Sequence, residues 1–187
     1  MKKSKQKILN EEEISTAIKK IADEIIASLS IEELKVSAFM GIQLKGVPLA
    51  GRITRIVKSR TGVDVPNGVL DITMYRDDFG LRKKLPGIRP TEVPFDLDGK
   101  IIVLVDDVFH TGRTIRAALD ALTDYGRPDL IRFACLIDRG NQEFPIKADF
   151  IGEKIEVESG QKVVVYWKET DNQDGVYCLS EKTEKRV

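Results

Sequence analysis

The sequence predicts an α/β fold, a mostly parallel central sheet flanked by helices. Three observations lead there. Strand-like apolar runs alternate along the chain with segments of helical periodicity, the pattern of right-handed βαβ crossovers. Two of those runs, "IIVLV" (101–105) and "LIRFACLI" (130–137), have little polar alternation, as expected of strands covered on both faces. The first runs directly into two aspartates and a turn of small hydroxylated residues, "IIVLVDDVFHTGRT" (101–114).

Residues 10–29 read as an amphipathic helix. Asn10 with Glu13 forms a capping arrangement, and Ile14, Ile18, Ile21, Ile25 and Leu29 recur at helical spacing. "VSAFMGI" (36–42) reads as a buried strand. After "QLKGV", Pro48 opens a helix running to about Ser59, with Gly62 beyond its end. In "GVLDITMYRDD", Leu70, Ile72 and Met74 alternate with Asp71, Thr73 and Tyr75, which predicts a strand of period two. Residues 79–100 hold three glycines, three prolines and a basic cluster. Such a long loop in a compact domain reads as a lid. Thr114–Tyr125 reads as a helix closed by Gly126, and "KVVVYWKE" and "GVYCLS" as two shorter strands. No repeat, linker or low-complexity tract interrupts the chain, so residues 1–187 read as one domain.

Composition narrows the function. The 187 residues are 42% hydrophobic and 32% charged, with a formal net charge of zero. A strongly basic surface, the simplest footprint of a nucleic-acid binder, is absent. Cys135 and Cys178 lack metal-ligand spacing, and Cys135 reads as a buried reduced thiol. No run approaches ~18 consecutive apolar residues. The opening "MKKSKQKILNEEE" has no apolar signal core, so the chain reads as cytoplasmic, with no membrane partner.

The chemistry concentrates after residue 105. Ligands of parallel α/β sheets bind beyond the carboxyl ends of the strands, where Asp106 and Asp107 fall. Thr111, Gly112, Arg113 and Thr114 then open a helix, whose backbone N–H groups and dipole form an anion cradle. Neither a Walker loop nor a dinucleotide fingerprint is present. Two carboxylates repel a phosphate, so they serve another part of the ligand. They accept hydrogen bonds from a cis-diol and tolerate a divalent cation nearby. A 5-phosphorylated ribose carries both features. The plainer reading, an acidic strand end before a helix cap, accounts for one Asp and one Thr but not for the whole run.

"VLVDDVFHTGRT" resembles the phosphoribosyl-pyrophosphate (PRPP) motif of type I phosphoribosyltransferases. "LDITMYRDD", "DDVFHTGRTIRAALDAL", "GRPDLI", "LIDRG" and "PIKADFIGEKI" together resemble the PyrR family, pyrimidine-operon attenuators with uracil phosphoribosyltransferase activity. The resemblance spans nearly the whole chain. It implies a type I phosphoribosyltransferase fold with a small hood and a flexible lid loop. The implied reaction joins uracil to PRPP, giving UMP and pyrophosphate with Mg²⁺. Asp106 and Asp107 would hold the ribose hydroxyls, with any Mg²⁺ carried by PRPP near them. Residues 110–114, which include His110, would hold the 5-phosphate. Leu44, Lys45 and Gly46, in "QLKG", match the family's pyrophosphate loop, with Lys45 where an arginine is usual. Tyr75 and Arg76 would close over the reacting centre, Arg76 also meeting pyrophosphate. "LIDRG" and "ADFIG" would form the hood around the base, with Ile137 and Asp138 near its edge.

His110 lies where purine-specific relatives carry an aspartate and other members of the resembled family a tyrosine. An imidazole there suits proton transfer at neutral pH, although a purely backbone role in the phosphate loop accounts for it equally simply. The resemblance also implies RNA as a partner. Contact positions of better-known members appear here as Lys19, Asp23, Asn141, Gln142 and Lys147, which predicts a weakened phosphate-contacting face. It further implies a homo-oligomer, a dimer or higher. Two other readings stay open: an RNA-binding attenuator with little catalysis, and a purine- or orotate-type phosphoribosyltransferase.

Overall fold

A computed structural model describes residues 3–77, 87, 89–158 and 160–181. Of the expected lid, residues 79–86 and 88 lie outside the described residues. The chain runs β1 (Lys3–Leu9), α1 (Glu11–Ser28), α2 (Ile31–Lys35), β2 (Ser37–Ile42), α3 (Gly46–Thr61), β3 (Asn67–Leu70), a 3₁₀ turn (Thr73–Tyr75), β4 (Ile101–Phe109), α4 (Arg113–Leu122), β5 (Leu130–Asp138), β6 (Phe150–Lys154), β7 (Lys162–Tyr166), α5 (Lys168–Asp171) and β8 (Gly175–Glu181).

Five of these strands form a wholly parallel sheet in the order β3-β2-β4-β5-β6. β4 lies at its centre, and its residues 101–105 are buried throughout, as a sheet covered on both faces demands. Pleating divides them. Ile101, Val103 and Val105 join the core under α1 and α3, while Ile102 and Leu104 join the core that includes α4. α1 begins as expected, with the Asn10 side chain accepting the Glu13 N–H and the Glu13 carboxylate accepting the Asn10 N–H. Its Ile14, Ile18, Ile21 and Ile25 are fully or nearly fully buried. α3 closes on Gly62 in the left-handed conformation, φ 76°.

One expectation about strands needs correction. The alternating stretch 70–75 is not one strand, because β3 stops at Leu70. The Asp71 carboxylate accepts the Thr73 N–H at 2.7 Å and bends the chain into the 3₁₀ turn. The two shorter strands expected near the end of the chain form, but outside the main sheet. β7 and β8 pair antiparallel, and β8 pairs with β1, a strand that sequence reading left unassigned. This small three-stranded sheet, β1-β8-β7, is separate from the larger one. "LIDRG" and "ADFIG" belong instead to the β5 and β6 region of the main sheet.

Cys135 and Cys178 are free and buried. No helix among the described residues is long and apolar enough to cross a membrane.

Candidate active site

Asp106 and Asp107 stand together at the end of β4, their carboxyls close enough to act on each other, with the charge of Arg76 acting on Asp106 and that of Lys45 on Asp107. Asp106 is only 7% exposed. Burial is the main reason both carboxyls sit above the ordinary aspartate value, for Asp106 well above it and reinforced by the Asp107 charge. Each is held in place by backbone. Asp106 Oδ1 accepts the Asp107 N–H, and Asp107 Oδ1 the Val108 N–H, both at 2.9 Å.

The pair lies in a cavity of about 490 Å³, with Lys45, Asp71, Arg76, Arg89 and Thr114 also on its walls. Leu44 and Lys45 approach from the β2–α3 turn, in which the Gln43–Leu44 peptide is cis. Gly46 makes that approach feasible. A Cβ on it would lie 2.1 Å from the Val105 carbonyl oxygen, so only glycine lets α3 begin directly against the end of β4. Lys45 is further held by α5, the turn between β7 and β8: its Nζ meets Thr170 Oγ1 at 3.0 Å and forms an ion pair with Asp171.

Residues 110–114, expected to hold a phosphate, lead from β4 into α4. Gly112 takes φ 90° and precedes α4, and Thr111 Oγ1 accepts the Arg113 N–H at 3.4 Å. The chain after β5 lies over it. The Thr111 carbonyl accepts N–H groups from Glu143 and Phe144 at 2.9 and 3.2 Å. The guanidinium of Arg113 pairs with Asp77 and Glu143, so its side chain is already occupied. Among residues 110–114, only Thr114 forms part of the cavity wall, and His110 to Arg113 lie beyond it. Burial, followed by the nearby Arg139 charge, holds His110 below the usual imidazole value. Arg139 Nε is itself buried with no hydrogen-bond partner.

Three assignments shift. Tyr75 does not reach the reacting centre, because its hydroxyl bonds Asp124 just beyond α4; that bond is the first reason its pKa is pushed up to about 12. Ile137 is fully buried in the core, which leaves only its backbone for contact with a base. Asp138 faces a second cavity of about 670 Å³, with Phe109, Gln142, Phe144 and Ile146, and not the cavity of Asp106. Asp71, Arg89 and Arg139 were not singled out from sequence. Arg139 stood in the quoted "LIDRG" and Asp71 in "LDITMYRDD", whereas Arg89 lay in the basic loop without a signal of its own.

Among the described residues, no three His, Cys, Asp or Glu side chains gather into a metal site. Asp106 and Asp107 supply hard oxygen donors. They suit a divalent ion that draws its other ligands from a bound diphosphate and water.

A family model for the phosphoribosyl transferase domain matches residues 4–169. A protein named "Bifunctional protein PyrR" from Thermus aquaticus is 49% identical over 173 residues, covering 92% of this chain and 94% of its own. Its namesake from Roseiflexus sp. (strain RS-1) is 46% identical over 176 residues, covering 93% and 94%. The chain belongs to the PyrR family. It is therefore a phosphoribosyltransferase. The PyrR-family chain also matches the hypoxanthine phosphoribosyltransferase of Trypanosoma cruzi with TM-score 0.72 and 17% identity, covering 95% of this chain and 97% of that one. That likeness establishes the shared type I fold.

Proposed function

We propose that the protein transfers the phosphoribosyl group of PRPP to N1 of uracil, giving UMP and pyrophosphate. One observation carries the reading: a carboxylate pair at the end of the central strand, Asp106 buried and Asp107 half-buried, runs directly into an anion-binding helix start. Asp106 and Asp107 bind the ribose diol, and the backbone N–H groups at the start of α4 bind the 5-phosphate. Lys45 and Arg76, on the cavity wall with the pair, face the diphosphate. The bond from the anomeric carbon to the diphosphate oxygen breaks with oxocarbenium character as the bond to N1 forms. Fixed charges and positioning therefore account for most of the rate enhancement. Mg²⁺, when bound with PRPP, neutralises charge on the leaving group. The uracil N1 proton needs an acceptor, and a neutral His110 has the right form for it.

The decisive experiment offers PRPP with a panel of uracil, orotate, hypoxanthine and guanine. Uracil should be the preferred acceptor, and preference for a purine or orotate would replace this reading.

A second role, regulation through RNA, is favoured by the printed name of the relatives, bifunctional. The structure bears on how strong that role is. Lys20 Nζ is bonded to the Gly152 carbonyl at 2.9 Å, and Arg60 pairs with Asp23 of the first helix, which engages two cations that would otherwise face a polyanion. We infer that RNA binding is weak relative to the enzymatic function.

A further inference from the structure

Asp71 ends the alternation that β3 begins. It is 8% exposed and lines the same cavity as Asp106 and Asp107. Its two oxygens act separately. Oδ1 accepts the Thr73 N–H at 2.7 Å and starts the 3₁₀ turn that leads to Arg76. Oδ2 accepts the backbone N–H of Arg89, 18 residues further along the chain. The two segments are fastened again beside it, where Val69 and Glu92 exchange backbone hydrogen bonds at 2.8 Å in both directions. The Asp71 N–H also reaches Thr91 Oγ1 at 3.0 Å.

Capping a turn requires only one carboxylate oxygen. The second joins the departing segment to the returning one, and each delivers an arginine to the cavity wall, Arg76 and Arg89. Burial raises the Asp71 carboxyl, but the Thr73 and Arg89 bonds outweigh it and hold the group below the ordinary aspartate value. It therefore works as a carboxylate. The cavity also holds the acidic pair, and its third cation, Lys45, is shared with Asp171. A diphosphate entering there needs cations placed together.

We propose that Asp71 is a positioning residue that sets Arg76 and Arg89 side by side as a seat for the substrate's diphosphate. The inference rests on the phosphoribosyl-transfer reading. It assigns a role to a residue outside the PRPP motif and the pyrophosphate loop.

The test is calorimetric titration with magnesium pyrophosphate, and separately with UMP, which lacks the diphosphate. Asp71→Ala should weaken pyrophosphate binding about tenfold, the scale of a lost set of charge-assisted contacts. UMP affinity should stay within about twofold, and Asp71→Asn, which keeps one acceptor oxygen, should fall between. In an Arg76→Ala/Arg89→Ala background, adding Asp71→Ala should change pyrophosphate affinity by less than about twofold, because residues acting through shared partners are not additive. Unchanged pyrophosphate binding in Asp71→Ala overturns the proposal. So does equal weakening of both ligands, or the full loss recurring in the arginine-free background. If Asp71→Ala does not fold, Asp71→Asn decides by the same comparisons. Failure of the unmodified protein to bind UMP would instead count against the phosphoribosyl reading, and the pyrophosphate arm would still judge Asp71.

Discussion

The indole N–H of Trp167 donates to the carbonyl oxygen of Lys45 at 2.9 Å. This bond ties the end of β7 to the pyrophosphate loop 122 residues earlier. Arg52 adds to the tie by pairing with Glu169 and Asp174 while its guanidinium lies 4.7 Å from the Trp167 ring centre. The small sheet is thus part of the active-site support.

Trp167→Phe keeps an aromatic ring but leaves the Lys45 carbonyl without this partner. Because Trp167 is fully buried, the loss should cost about 1–3 kcal/mol of stability. The Michaelis constant for PRPP should rise more than that for uracil, since the loosened loop serves the diphosphate. Denaturant unfolding and steady-state kinetics on the two substrates check this. Equal changes for both substrates would contradict the assignment of that loop.

Replacing Asp106 and Asp107 together with Asn should abolish transfer and leave a folded protein. Their raised carboxyl values fix the sign of the stability effect. An acid whose folded-state pKa exceeds its unfolded one destabilises the fold as pH rises from the unfolded value through the folded one. The double variant should therefore melt higher than the unmodified protein at pH 7. The difference should shrink as pH falls towards the ordinary aspartate value of ~3.9. Thermal melts across that range, without ligand, measure it. Normal turnover by the variant would remove the pair from the ligand site.

His110→Phe should leave PRPP affinity nearly unchanged and lower turnover by about tenfold or less, at or below the low end of acid–base effects. The depressed imidazole value places any acidic limb from His110 below the usual pH of ~6.5. Loss of that limb in the variant's pH–rate profile would identify His110 as the proton acceptor. An unchanged profile and rate would make it a structural member of the loop.

Binding to the hairpin recognised by family regulators should be weak, gain little from UMP, and fall with added salt on a shallow slope. A filter-binding series across salt concentrations reads the number of phosphate contacts directly. Tight binding at physiological salt, strengthened by UMP, would restore regulation as a principal function.

How much of this could be read in the chain depends on how local each signal is. The β4 to α4 unit was readable because the apolar run, both carboxylates and Gly112 lie within a few residues of each other. The α1 cap was readable for the same reason, with Asn10 and Glu13 bonding across one turn. Residues 71–75 misled because one side-chain acceptor outweighs period-two alternation once it captures the Thr73 N–H. β1 escaped notice because "KSKQK" carries no apolar alternation and its only strand partner is β8. Asp138 was assigned by resemblance, yet Phe109 and Phe144 give it a different cavity from Asp106. The role of Asp71 depends on a backbone group 18 residues away, and no local pattern encodes such a distance.

The pairing of β1 with β8 has a temporal side. During synthesis β1 leaves the ribosome early and must wait, unpaired along its edge, until residues 175–181 have been made. The main sheet is complete at β6, so it can assemble while translation continues. The grip of Trp167 and Asp171 on Lys45 likewise comes from residues made after the main sheet. A nascent chain halted before Lys162 would hold the carboxylate pair in a folded sheet with the Lys45 turn still unsupported, so competence for transfer is acquired late.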